Sequence, residues 1–332
     1  MTTALVTGAT GFVGHHLVRA ILEKGWPCRA LVRDEKRARR LLPDGVEPVC
    51  GDISDPRSLV GIGRGVDCVF HAAAQLNLPG ISADDYTRVN LRGTQNLVEA
   101  LRGSSLFRFV HISSIAAVGL RNYGMIDETF PCDPDLPYGI SKLRIDEYLQ
   151  NAFKDSGFPS VIVRPPTVYG EGERYNFLSL CRAIQSGRFL IIGDGRNRTD
   201  FCWIGNLVQA MMKAAQKGRE GELYLVADEP VLTFRESADV LSRIVRARPL
   251  TRLSLPKPMA YAVSVPIAAV GRLLGHPVPL YPTRVRTMTA DLCFNLSKAK
   301  RELGLEPVVS FAECAAETIR WYREEGLLPK TS

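Results

Sequence analysis

The chain has 332 residues, 45% hydrophobic and 23% charged, which suits a globular protein with one main core and an attached lobe rather than a disordered or fibrous chain. Its net charge of +7 is mildly basic, but the densest run (five basic residues between positions 33 and 40) carries no interleaved aromatics, so it reads as a solvated helix face and not as a nucleic-acid footprint. Eight cysteines without a Cys-x-x-Cys pair argue against a disulfide scaffold or a metal site, and point to reduced thiols in a cytoplasm.

Residues 4–7 form a short apolar strand that runs into Gly8, Gly11 and Gly14, spaced Gly-x-x-Gly-x-x-Gly, and a helix follows to residue 24, closed by Gly25. So tight a turn needs backbone without Cβ, for its dihedrals and for the close approach of a phosphate. The helix start offers free N–H groups and a positive dipole end, which suit a pyrophosphate. By itself the pattern also fits a purely structural turn. A second strand, 28–32, ends on Arg33; a third, 46–50, leads into Gly51-Asp52-Ile53, and Asp55-Pro56 opens a short helix. A fourth strand, 67–70, runs into His71-Ala72-Ala73-Ala74, and a long helix over 82–101 carries Asn90 and Thr94. A fifth strand, 107–112, ends at Ser113-Ser114; a helix over 138–153 and a sixth strand, 160–163, lead to Arg164-Pro165. This alternation predicts an α/β fold, a Rossmann-type doubly wound parallel sheet. The glycine turn, Arg33, Asp52, the alanine run and the serine pair all lie at strands' carboxyl ends, where such sheets bind ligands.

The expected division is a dinucleotide-binding domain over 1–168 and a mainly substrate-binding lobe over 169–332. In the lobe the pattern gives helices over 177–185 and 204–218, an extended piece at 189–192, a strand at 222–226 and a helix capped by Thr233. Prolines 256, 258, 266, 277, 279 and 282 punctuate a tract read as loop-rich, before helices that begin at Ser297 and Phe311. The chain enters a strand at once, so no leader peptide is expected. The apolar tract 259–270 is too short to span a bilayer and is interrupted by Pro266; it is read as a buried helix beside the substrate pocket, with peripheral membrane contact as the alternative.

Tyr138 and Lys142 stand four apart on a helix, hence on one face. A free phenol titrates near 10, and an adjacent ammonium is expected to lower that value towards neutrality. Ser114 is placed to hydrogen-bond a substrate oxygen beside Tyr138, though a strand-end serine also commonly serves its own backbone. His71 is read as a structural group, and His15 and His16 as the exposed side of the first helix.

The motifs Thr7-Gly8-x-x-Gly11-x-x-Gly14, Gly51-Asp52-Ile53, His71 to Ala74, Asn90, Ser113-Ser114, Tyr138-x-x-x-Lys142 and Arg164-Pro165 together resemble the extended short-chain dehydrogenase/reductase family, the epimerase/dehydratase group. The likeness is close over about the first 170 residues and loose beyond. Ser113-Ser114-Ile115 and the stretch 201–208 look most like its 3β-hydroxysteroid dehydrogenase and dihydroflavonol reductase branches. The resemblance implies Tyr138 as general acid/base, Lys142 as its electrostatic partner and ribose ligand, and Ser114 as polariser of the reacting oxygen. It further implies cofactor contacts at Gly8, Thr10, Gly11, Phe12, Val13, Arg33, Asp52, Ile53, Ala72, Ala73, Ala74, Asn90, Pro165 and Val168, with no metal.

Dinucleotide folds that use NAD place an acid at the end of the second strand. Here Arg33 stands there, suited to a 2′-phosphate, so NADP(H) is expected over NAD(H), with Asp34 keeping NAD open. The expected activity is interconversion of a secondary alcohol and a ketone in a small-molecule substrate. A nucleotide-sugar epimerase or dehydratase is the alternative, weakened because Thr199-Asp200-Phe201-Cys202-Trp203 lacks the arginine and histidine usual in the family's sugar enzymes. In that alternative Arg196 and Arg198 would substitute for the missing arginine, and Asn176, Arg284 or Arg286 would serve a diphosphate, though these three read first as surface groups. A non-catalytic dinucleotide sensor is the second alternative, disfavoured by the intact Ser114, Tyr138 and Lys142. A homodimer is expected, paired through the helices over 82–101 and 138–153.

Overall fold

A computed structural model describes residues 2–77, 80–187, 189–250, 253–274, 280–306 and 310–329. Its main sheet has seven parallel strands: Ala4–Thr7, Cys28–Val32, Val46–Cys50, Cys68–His71, Arg108–Ile112, Ser160–Arg164 and Leu223–Leu225. Numbered in chain order, they lie across the sheet as 3-2-1-4-5-6-7. The direction of winding reverses between the first and fourth strands, which opens a crevice at their carboxyl ends. Register brings those ends level, with Thr7 beside Leu31 and His71, and His71 beside His111.

Side-chain alternation feeds two cores from one sheet. Ala4, Val6, Ala30, Phe70 and Val110 point to the layer formed by helices Phe12–Glu23 and Ile204–Lys217. Leu5, Leu31, Val69 and Phe109 point to the other, covered by Gly93–Leu101 and Pro137–Ser156. The expected boundary at residue 168 is crossed in both directions. Helix Ile204–Lys217 and strand Leu223–Leu225 return to the main sheet, while Gly124–Ile126 pairs with Leu292–Phe294 in a second, four-stranded sheet. The lobe keeps a core of its own, an aromatic cluster of Tyr169, Phe177, Phe201 and Phe311.

Three expectations change. The long helix is capped by Ser82, reciprocally with Asp85, but passes through a π-helical turn at Thr87–Arg92 that holds Asn90. The proline-punctuated tract is largely helical: Lys257–Leu274 contains Pro258 in its first turn and Pro266 within, and Pro282 opens Pro282–Thr289. Proline in a first turn gives up no hydrogen bond, so such residues begin helices as readily as they end them. Pro277 and Pro279 lie outside the described residues. His15 and His16 are half-buried, and His16 Nε2 donates to the Glu171 carbonyl at 2.7 Å, so this face of the first helix is covered by a lobe loop.

A Cβ on Gly14 would stand 2.1 Å from Gly8 O and 2.8 Å from Ala9 Cα, both rigid backbone. Gly14→Ala is expected to lower stability by about 1–3 kcal/mol through overpacking, read as a shifted midpoint in urea denaturation. An unchanged midpoint would contradict that packing.

Candidate active site

Each of the three glycines does a different job. Gly8 adopts φ +70°, and a Cβ there would lie 2.8 Å from the carbonyl carbon of Ala72 and the nitrogen of Ala73. Gly14 lets the helix pack against the turn. Gly11 is exposed and extended, its N–H donating to Gly8 O at 2.9 Å, with only that same oxygen near the place of a Cβ. Helix Phe12–Glu23 begins without a side-chain cap and without an acid in its first turn. Its positive end is therefore unopposed beside Thr10 and Gly11, with Phe12 and Val13 half-buried at the mouth. This cradle fits the pyrophosphate of a dinucleotide.

Around it, Arg33 is exposed at the end of the second strand, and the Asp34 carboxylate caps the next helix by accepting from Arg37 N at 3.0 Å. Asp52 accepts from Ser54 N and Ser54 Oγ at 2.8 and 2.7 Å. Burial opposes its ionisation, but those bonds and the Arg33 and Arg88 charges hold its carboxyl below the usual range. Ile53 is buried under Gly93, a core residue more than a wall of the crevice. Ala72, Ala73 and Ala74 are half-buried at the strand end, Pro165 is buried and Val168 half-buried.

Asn90 is 1% exposed and spends its amide inside the protein. It accepts from Gln75 N at 2.6 Å and donates to Gln75 O and to Ser141 Oγ at 3.3 and 3.2 Å. Thr94 Oγ1 donates to Asn90 O at 2.6 Å and meets His71 Nε2 at 2.9 Å, while His71 Nδ1 meets Thr7 Oγ1 at 2.8 Å. Thr7 Oγ1 in turn accepts from Ala73 N at 3.1 Å. One buried chain of polar contacts thus ties the first strand to the helix that carries Ser141. His71 stays neutral inside it: burial, helped by the Lys142 charge, brings its imidazole down to about 3. His71 is structural, as its strand-end position suggested.

Helix Pro137–Ser156 presents Tyr138, Lys142 and Asp146 at successive turns. The Tyr138 hydroxyl is within hydrogen-bonding reach of Ser114, which sits in extended conformation where a short turn begins and also accepts from Ala116 N. Lys142 is buried and its Nζ donates to Ile112 O at 2.7 Å. The expected lowering of the phenol by Lys142 is not found. Burial pushes Tyr138 up to about 12, against the Ser114 bond, and the nearby Tyr86 and Asp146 add to the rise. Burial also brings the Lys142 ammonium down to about 8, opposed by Asp146.

A family model described as the NAD dependent epimerase/dehydratase family matches residues 4–227. The chain belongs to this family. It is accordingly an extended short-chain dehydrogenase/reductase, with a Rossmann-type NAD-binding sheet. It is 31% identical over 342 residues to a 3β-hydroxysteroid dehydrogenase/Δ5→4-isomerase of Mycobacterium tuberculosis, covering 96% of this chain and 90% of that protein. A ketoreductase of Stigmatella aurantiaca, named for a 4-hydroxy-2-methyl-3-oxo-4-farnesyl-3,4-dihydroquinoline-1-oxide, is 28% identical over 90% of each chain. Among solved structures, a dTDP-glucose 4,6-dehydratase of Streptomyces venezuelae with NAD bound superposes with TM-score 0.74 at 25% identity, covering 99% of both chains.

Sequence reasoning passed over several members of this family site. Asp146 accepts from Arg164 Nη2 at 2.7 Å and from Ser113 Oγ at 2.5 Å, all three nearly sealed from solvent. Its Tyr-x-x-x-Lys-x-x-x-Asp spacing was the available signal. Tyr86 packs edge-on to Tyr138 with ring centroids 5.7 Å apart, a contact between distant segments that spacing cannot reveal. Two of the arginines weighed for a diphosphate are engaged in ion pairs: Arg198 with Asp291 at 2.9 Å and Arg286 with Asp135.

His71 and the equally buried His111, whose imidazole burial also holds well below its ordinary value, are protonated in the unfolded chain near 6.5 but not in the fold. Acid therefore drives proton uptake by the unfolded state. Their stabilising effect is full above about 6.5 and declines as the pH falls towards 3. Urea midpoints are expected to drop between pH 7 and pH 5, and less so in His111→Gln. Equal drops in both proteins would remove His111 from the account.

Proposed function

We propose that this enzyme interconverts a secondary alcohol and a ketone on a largely apolar small molecule, with NADP(H) preferred over NAD(H). The observation that carries the proposal is the pairing of the Tyr138 and Ser114 hydroxyls, with Lys142 one helical turn on, at the carboxyl end of the sheet. A nicotinamide dinucleotide, when bound, would supply or accept the hydride. Ser114 and Tyr138 donate hydrogen bonds to the carbonyl oxygen, which strengthen as that oxygen becomes an alkoxide. A phenol raised to about 12 keeps its proton at neutral pH and begins as an acid, which suits the reductive direction. As the proton leaves, the buried Lys142 ammonium is the charge positioned to stabilise the phenolate. Asp146 keeps that ammonium charged against the cost of burial.

Support for an apolar substrate comes from the named relatives, a hydroxysteroid dehydrogenase and a ketoreductase. The engagement of Arg198 and Arg286 in ion pairs weakens the nucleotide-sugar reading, which the dehydratase neighbour keeps as the alternative. For the cofactor, exposed Arg33 is free to face a 2′-phosphate, while Asp34 is occupied as a helix cap. We assign cofactor binding mainly to residues 1–168 and substrate selection mainly to 169–332.

Incubation with NADPH and a panel of ketones should consume NADPH, whereas redox-neutral turnover of a nucleotide-sugar would replace this reading with the alternative. In the same assay Tyr138→Phe is expected to lower kcat by about 10²–10⁴-fold with cofactor Kd nearly unchanged. Arg33→Ala should raise KM for NADPH about tenfold or more and leave KM for NADH nearly constant. Parallel changes in the two constants would refute the preference.

A further inference from the structure

Helix Lys257–Leu274 is apolar on the wrong side. Its buried stripe is made of small residues, Ala260, Ser264 and Gly271, with Ala260 packed against Ile192 and Val285. Its large side chains face outward: Met259, Tyr261, Val263, Val265, Val270 and Leu273 are between 38% and 88% exposed. No charged residue occurs from position 258 to 271. The short helix Glu35–Leu41 does the opposite, burying Ala38 and exposing its charges. Single exposed apolar residues are ordinary, but a continuous outward face of them marks an interaction surface.

Charge says what covers it. Positions 240–290 hold eight of the 42 basic residues and none of the 35 acidic ones, so the rest of the chain is one charge negative. The protein's whole positive balance lies on the segment that carries the apolar helix, with Arg248 and Arg252 before it in sequence, Lys257 and Arg272 at its two ends, and Arg284 and Arg286 after. Arg243 and Arg286 are paired within the protein, with Asp239 and Asp135. A second copy would bring the same basic segment against its like, which opposes pairing through this face. An anionic bilayer satisfies both features, taking the apolar side chains among its acyl chains and the cations at its headgroups.

We propose that helix Lys257–Leu274, with the basic residues that bracket it, docks the protein in the plane of an anionic phospholipid membrane. Among the described residues no helix is long and apolar enough to cross a bilayer, so the contact is interfacial.

The test is co-sedimentation of the full-length protein with vesicles of phosphatidylcholine alone and of phosphatidylcholine with about one-third phosphatidylglycerol. Binding is expected to the anionic vesicles and to weaken as salt is raised. The double variant Val263→Glu/Val270→Glu, altered only at exposed positions, should lose about tenfold or more of that binding while keeping its melting temperature and cofactor affinity. Failure of the wild-type protein to bind anionic vesicles above the neutral control overturns the proposal, as does undiminished binding by the double variant. A wild-type dimer that the double variant turns into monomer, without vesicle binding, would give this face to a second copy instead.

Discussion

Backbone crowding at the end of the first strand constrains everything built around it. Gly8 meets the Ala72–Ala73 peptide, and Gly14 meets Gly8, at separations where no Cβ fits. That closeness lets the first helix start directly above the strand and brings the first and fourth strand ends together. The same crowding leaves Gly11 as the open side, so the helix N-terminus faces the crevice instead of being covered by its own turn. A phosphate site arises as a by-product of how tightly strand, turn and helix must pack.

Beneath the crevice, polar groups replace the apolar packing found elsewhere in the sheet. Thr7, His71, Thr94, Asn90 and Ser141 pass hydrogen bonds from the first strand to helix Pro137–Ser156, so the two sides of the crevice are held in one register. Ser113, Asp146 and Arg164 form a second buried set one layer away. Removing either partner of such a buried pair strands the other charge, which makes the arrangement rigid more than it makes it stable. Burial also sets the protonation states: His71 is kept neutral, Tyr138 protonated, and Lys142 close to losing its charge. In the reading proposed for this site, Tyr138 therefore begins as an acid and Lys142 acts after the proton has begun to leave.

The lobe follows other rules. Its aromatic core around Tyr169 and Phe177 is sealed, Arg198 and Arg286 are engaged with carboxylates, and its apolar helix is turned outward. A lobe of this kind presents its own apolar surface to the surroundings.

Strand and helix alternation, the glycine spacing and the Tyr138–Lys142 step were legible because they are local: a period of two or four and a missing Cβ leave their mark within a few neighbouring residues. The parallel sheet, its order of elements and the strand-end clustering of candidate residues follow from that pattern alone. What a side chain does after it arrives is another matter. Asn90 turned inward to Gln75 and Ser141, Ile53 into the core, Asp34 onto a helix end and Arg198 onto Asp291, each because a partner distant in sequence stood within hydrogen-bonding or packing distance. The tract around Pro266 likewise has one composition and two possible faces. Only the packing of Ala260 and Ser264 against the lobe decided which face met the protein, because small residues allow close approach and large ones do not.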